Sequence, residues 1–142
     1  MITRLLLTAF TITAGTLALF YFELISHGWK FGQHISSQEH GYLAALTVTF
    51  TTIVMFELFN ALASKSERKT IFSSELFNNK YLLLGILSSF VLQLAVVYLP
   101  INKAFDTVPL HWNDWALIIG TASTILVVDT AYKLIRNRLV KE

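Results

Sequence analysis

The sequence has no cysteine and only two prolines in 142 residues. The first absence excludes disulfides, thiolate metal sites and a cysteine nucleophile, and leaves the redox compartment open. Charge is also scarce. Charged residues make up 14% of the chain, against about 25% in ordinary soluble domains. With apolar residues at 54%, too little polar surface remains to keep a chain of this size in water. The net formal charge of +2 is too small for the basic stripe that nucleic acid requires, so no nucleic-acid partner is expected. Also missing are a phosphate-binding loop, a nucleophile–base pair, a basic amphipathic helix, an internal repeat and an N-glycosylation acceptor.

What the chain does have is long stretches almost free of charge. Residues Leu5 to Phe22 and Tyr81 to Asn102 carry none, His40 to Ser64 carries only Glu57, and Trp115 to Tyr132 carries only Asp129. About 20 such residues cross a ~30 Å hydrocarbon layer. The reading is all-α: one integral membrane domain over residues 1–142, with transmembrane helices at about 4–24, 42–64, 80–100 and 114–136. The first run is longer than the 7–15 residues of a signal-peptide core and is read as a span. Boundary residues agree. Ser36 and Glu39 have capping-box spacing, Asn78 or Asn79 can cap the third helix, Pro100 closes it, and Asn113 or Asp114 can cap the fourth.

Lys and Arg set the orientation. Nine of them lie at the N-terminus (Arg4), between the second and third spans (Lys65, Arg68, Lys69, Lys80) and after the fourth (Lys133, Arg136, Arg138, Lys141). The other two loops hold only Lys30 and Lys103. Both termini are therefore expected in the cytoplasm. Tyr21, Trp29, Tyr42, Tyr98, Trp112 and Trp115 fall near the outer interface, and Tyr81 and Tyr132 near the inner one, the headgroup zone that amphipathic rings favour.

Among the polar residues within the spans, Glu57 stands out. Lys65 follows it by eight residues, about 12 Å of helix, which puts Glu57 inside the hydrocarbon. An acidic residue there costs about 2.5–3.5 kcal/mol and usually marks an ion site or pathway facing the bundle interior. Asn60 and Ser64 follow at i+3 and i+7, with Phe50, Ile53 and Ala61 on the same side. Two readings are open: a cation site, or a neutral carboxyl hydrogen-bonded for structure. Gln93 reads as an interhelical hydrogen-bond partner, and Asp129 as a structural i,i+4 partner of Lys133. Thr8, Thr11, Thr13 and Thr16 have the composition for hydroxyl bonds one turn back. Gly85 with Ser89, and Gly120 with Thr124, have the spacing of close helix packing. His27, His34 and His40 share the first outer loop at no compact zinc spacing and read as solvated.

Residues 57–64 read ELFNALAS, followed by SER at 66–68, FNNKYLLL at 77–84, LQL at 92–94, YLP at 98–100, FDTVPL at 105–110 and DW at 114–115. This order and spacing closely resemble the C-terminal membrane region of P-type cation-transporting ATPases, in the calcium-pump branch. The resemblance implies the last four of ten helices, the seventh to the tenth; the expected location is the plasma membrane, as a multi-pass protein. It implies that Glu57 is a cation ligand on the eighth helix, with Asn60 a neighbour of the site.

The family's phosphorylation motif DKTGT, its TGES loop and its GDGxND hinge are absent from the chain. No catalytic residue, cofactor or ATPase activity is expected of the chain alone, and calcium is expected only in an assembled pump. The expected partners are the lipid bilayer and a P-type ATPase fragment with the catalytic domains and first six helices. A stand-alone four-helix scaffold or regulator, and a passive ion path in an oligomer, are the competing roles. The topology is directly testable. Reporter fusions should place residues 25–41 and 100–114 outside, and an outside location for residues 65–80 would overturn it.

Overall fold

The computed structural model describes residues 2–36, 39–65 and 79–139. The described residues form four long helices and one short one: α1 Ile2–Ser26, α2 His40–Ser64, α3 Lys80–Tyr98, α4 Asn102–Phe105 and α5 Trp112–Leu139. The described residues contain no strand. Four of the helices are long and apolar enough to cross a membrane. Helix is the form such segments must take, because hydrocarbon offers nothing to bond a free N–H or C=O. Several hydroxyls follow that rule by bonding one turn back on their own helix, Thr47 to Leu43 O at 2.8 Å and Thr52 to Val48 O at 2.6 Å.

The ends of the helices differ in part from expectation. Asn79 does cap α3, its side chain accepting from Leu82 N–H at 3.2 Å, and α3 stops at Tyr98 ahead of Pro100. The capping box at Ser36 does not form. Glu39 donates its N–H to Ser36 O at 3.0 Å, and the helix starts at His40 with an extended Glu39 whose side chain caps nothing. Helix α5 starts at Trp112, before the expected caps. Asp114 serves from inside the first turn, its Oδ2 accepting His111 N–H at 2.7 Å. That is the reach-back half of a capping box.

Helix α2 is the hub, packed on α1, α3 and α5, while α1 also packs on α5. Half of α2's span is buried, against about a tenth of α1's. The core is Leu19 of α1, Val48, Met55 and Phe56 of α2, Val97 of α3, and Trp115, Ile118, Ala122 and Ile125 of α5. Gln93 of α3 donates to Thr51 Oγ1 at 2.8 Å in the buried interior, the interhelical role read for it. At the end opposite the basic residues, Trp115 Nε1 donates to the Tyr98 hydroxyl at 2.7 Å, which in turn donates to Leu110 O at 2.8 Å. Val108 N–H is received by Thr47 Oγ1 at 3.0 Å. These bonds clamp the α3–α5 connection onto the bundle.

Of the α1 threonines, Thr11 bonds back to Leu7 O at 2.8 Å, whereas the buried Thr16 hydroxyl finds no partner among the described residues. The small-residue pairs do not make close contacts in this unit. A Cβ built at Gly85 or Gly120 would meet nothing within 4 Å. Close approach occurs at Gly15 instead, where a Cβ would lie 2.8 Å from Phe56 Cζ and 3.0 Å from Thr121 Cγ2. Phe56 is fully buried, so its ring has little room to yield. Gly15→Ala should therefore destabilise the bundle by about 1–3 kcal/mol. Unfolding in mixed micelles measures this, and an unchanged midpoint would mean that α1 does not dock as described.

Candidate cation-ligand face

Helix α2 presents two apolar sides to different surroundings. Thr51, Thr52, Met55, Phe56 and Leu58 are buried against the other helices. Leu46, Phe50 and Ile53 are exposed at 38–41%, and Glu57 is exposed in line with them. Steps of four, three and four residues keep this line on one face of a 3.6-residue helix. Glu57 therefore points out of the four-helix unit. The expectation that an acid at this depth faces the bundle interior is corrected. The interior is filled by Phe56 and its neighbours, and no described element covers the opposite side.

Among the described residues, no hydrogen bond or ion pair reaches the Glu57 carboxylate. Asn60 is half-buried and its Oδ1 accepts from Ser64 Oγ at 3.4 Å. No group of three or more His, Asp or Glu side chains among the described residues is arranged to hold a metal ion. Glu57 can offer two oxygens and Asn60 one. Three oxygens fall short of the six to eight that calcium takes.

The last turn of α2 is tied to a cluster of buried ions. Asp129 of α5 lies between two cations, with Arg4 Nε 2.8 Å from Oδ1 and Lys133 Nζ 2.6 Å from Oδ2. The side chains of Asp129 and Lys133 are only 4% and 1% exposed. Lys133 Nζ also donates to Ala63 O at 2.6 Å, and Arg4 Nη2 to Ser64 Oγ at 3.0 Å. The i,i+4 pair of Asp129 and Lys133 is thus present as read from the sequence. Its burial and its third member, Arg4, were not foreseen. A charge three residues into α1 and another near the far end of α5 lie at similar depth from the basic ends of their helices, and that was the available signal.

The opposite end gathers other titratable groups. His27 and His40 lie with ring centroids 6.2 Å apart, and His27 Nδ1 lies 3.4 Å from Oε1 of the buried Glu23. His34 is exposed.

Comparison with known proteins bears on this arrangement. A family model described as cation transporting ATPase, C-terminus, matches residues 1–135. Calcium-transporting ATPase type 2C member 2 of Mus musculus is 35% identical over 135 residues, covering 94% of this chain and 13% of the relative. Calcium-transporting ATPase type 2C member 1 of Homo sapiens is 32% identical over 140 residues, covering 97% and 14%. A calcium-transporting ATPase of Plasmodium falciparum is 31% identical over 110 residues, covering 77% and 9%. The chain thus spans a small part of the length of these curated relatives.

Removing the shared anion of the ion cluster leaves two cations facing one another in an apolar setting. Asp129→Ala should cost about 3–5 kcal/mol of stability. Detergent-induced unfolding of the variant measures it, and a loss below about 1 kcal/mol, the range of exposed pairs, would contradict the burial described.

Proposed function

Because the chain belongs to the cation-transporting ATPase C-terminal family, we propose that it is the C-terminal membrane piece of a calcium pump, working with a partner that carries the catalytic domains and the first six helices. The observation that carries this is the outward face of α2. An acidic side chain sits unpaired on a line of exposed apolar residues, Leu46, Phe50 and Ile53. Lipid alone is a poor neighbour for that carboxylate. Further helices packed on the same face would cover the apolar side chains and bring the missing oxygens.

In this assembly calcium is the cargo. Glu57 supplies a charged ligand, Asn60 stands beside it, and upstream helices complete the six to eight oxygens. The four-helix unit holds α2 in place, and ATP is consumed by the partner. The chain alone then forms no phosphoenzyme, since it carries no phosphorylation motif. The membrane concerned is the cell membrane on this reading, which fractionation checks.

The test is co-expression with an upstream pump fragment that ends before the seventh helix, followed by calcium uptake into membrane vesicles. Uptake should require both pieces. Glu57→Gln, which keeps size and hydrogen bonding, should weaken apparent calcium affinity roughly tenfold or more, equivalent to about 1.4 kcal/mol. Uptake that is indifferent to Glu57→Gln, or an acid-stable phosphate formed on this chain alone from ATP, would sink the proposal.

A further inference from the structure

We propose that Asp129 is a positioning residue: held between Arg4 and Lys133, it sets the rotation of α2 and so the direction in which Glu57 leaves the bundle. The relevance to transport rests on the function proposed above, but the geometry stands on its own distances. Both cations that Asp129 holds also bond the last turn of α2. Lys133 Nζ donates to Ala63 O at 2.6 Å and Arg4 Nη2 to Ser64 Oγ at 3.0 Å. Ala63 and Ser64 lie six and seven residues after Glu57, under two turns away. Ser64 Oγ in turn donates to Asn60 Oδ1 at 3.4 Å.

Thr47 and Thr51 hold the first half of α2 by bonds to Val108 and Gln93, and the half that carries Glu57 needs a directional device of its own. Helix α2 is apolar nearly all round, with exposed Leu46, Phe50 and Ile53 on one side and buried Val48, Met55 and Phe56 on the other. Burial of apolar surface is non-directional, so it discriminates weakly between rotations of such a helix. Hydrogen bonds to one carbonyl and one hydroxyl discriminate strongly. Buried ion pairs add little stability over apolar residues of similar volume, and a register-fixing role is their best-attested use. Here the two cations reach α2 from different helices, Arg4 from α1 and Lys133 from α5. Asp129 joins them, so α2 is fixed from two directions.

The absence of cysteine makes the measurement direct. Single cysteines at positions 46, 49, 50, 53, 54 and 57 carry a nitroxide in the full chain, held in a lipid nanodisc, and accessibility to dissolved oxygen is read at each. With the ion cluster intact, accessibility should peak at 46, 50, 53 and 57. Lys133→Met leaves Arg4 and Asp129 as a balanced pair but removes the bond to Ala63. It should move the maxima off that line or flatten them, one residue step being about 100° of rotation. If Lys133→Met does not accumulate as folded protein, Arg4→Gln opens the other arm and is read in the same way. Unchanged maxima in a folded variant overturn the proposal, because a purely stabilising cluster would lower the unfolding midpoint without turning the helix. No pump fragment is present in this experiment. A shifted pattern combined with calcium uptake indifferent to Glu57→Gln would remove the ligand reading and leave the positioning role standing.

Discussion

A cluster of three charges, two of them almost fully buried, organises this molecule. Asp129 is almost fully buried, and so is Lys133. Each is tolerable there only because the other is within 2.6 Å and Arg4 completes the cluster at 2.8 Å. An unpaired charge in such surroundings costs several kcal/mol. Helices α1 and α5 must therefore meet at their basic ends, and α2 must bring its terminal carbonyl to the lysine. The apolar core above the cluster, from Ile125 up to Trp115, fills the space this meeting defines.

The central helix serves two environments. One side of α2 is packed by Phe56 and Met55 into the core, and the other carries Phe50, Ile53 and Glu57 outward. A helix buried on one side only, yet apolar on both, leaves one face open to lipid or to further helices. The family model covers residues 1–135, and the chain spans a small share of each relative.

The sequence disclosed most of the fold; it singled out Glu57 but did not disclose the ion cluster at the end of α2. The spans were legible because charge-free runs and their basic flanks are one-dimensional signals. Asn79 and Pro100 act locally, and they behaved as local chemistry requires. Glu57 was conspicuous as an acid in hydrocarbon. Its outward direction was not legible, because an all-round apolar helix carries no phase to read. Arg4 and Asp129 are 125 residues apart, a separation over which no spacing rule operates. Gly85 and Gly120 imitated packing motifs, whereas a tight helix contact forms at Gly15, against Phe56 and Thr121. The spacing marks a capacity for close approach, and the partner's ring decides where it is used.

The long separation between Arg4 and Asp129 also has a consequence for biogenesis. Synthesis delivers α1, α2 and α3 to the bilayer before α5 has been made. During that interval Arg4 has no carboxylate at its eventual position, and Phe56 lacks the Ile118, Ala122 and Ile125 side of its core. Helices α1 and α2 can pack on one another in that interval, and α5 then completes the core. Quality-control factors that sense unpaired charge in the membrane would therefore see Arg4 as unsatisfied until α5 inserts.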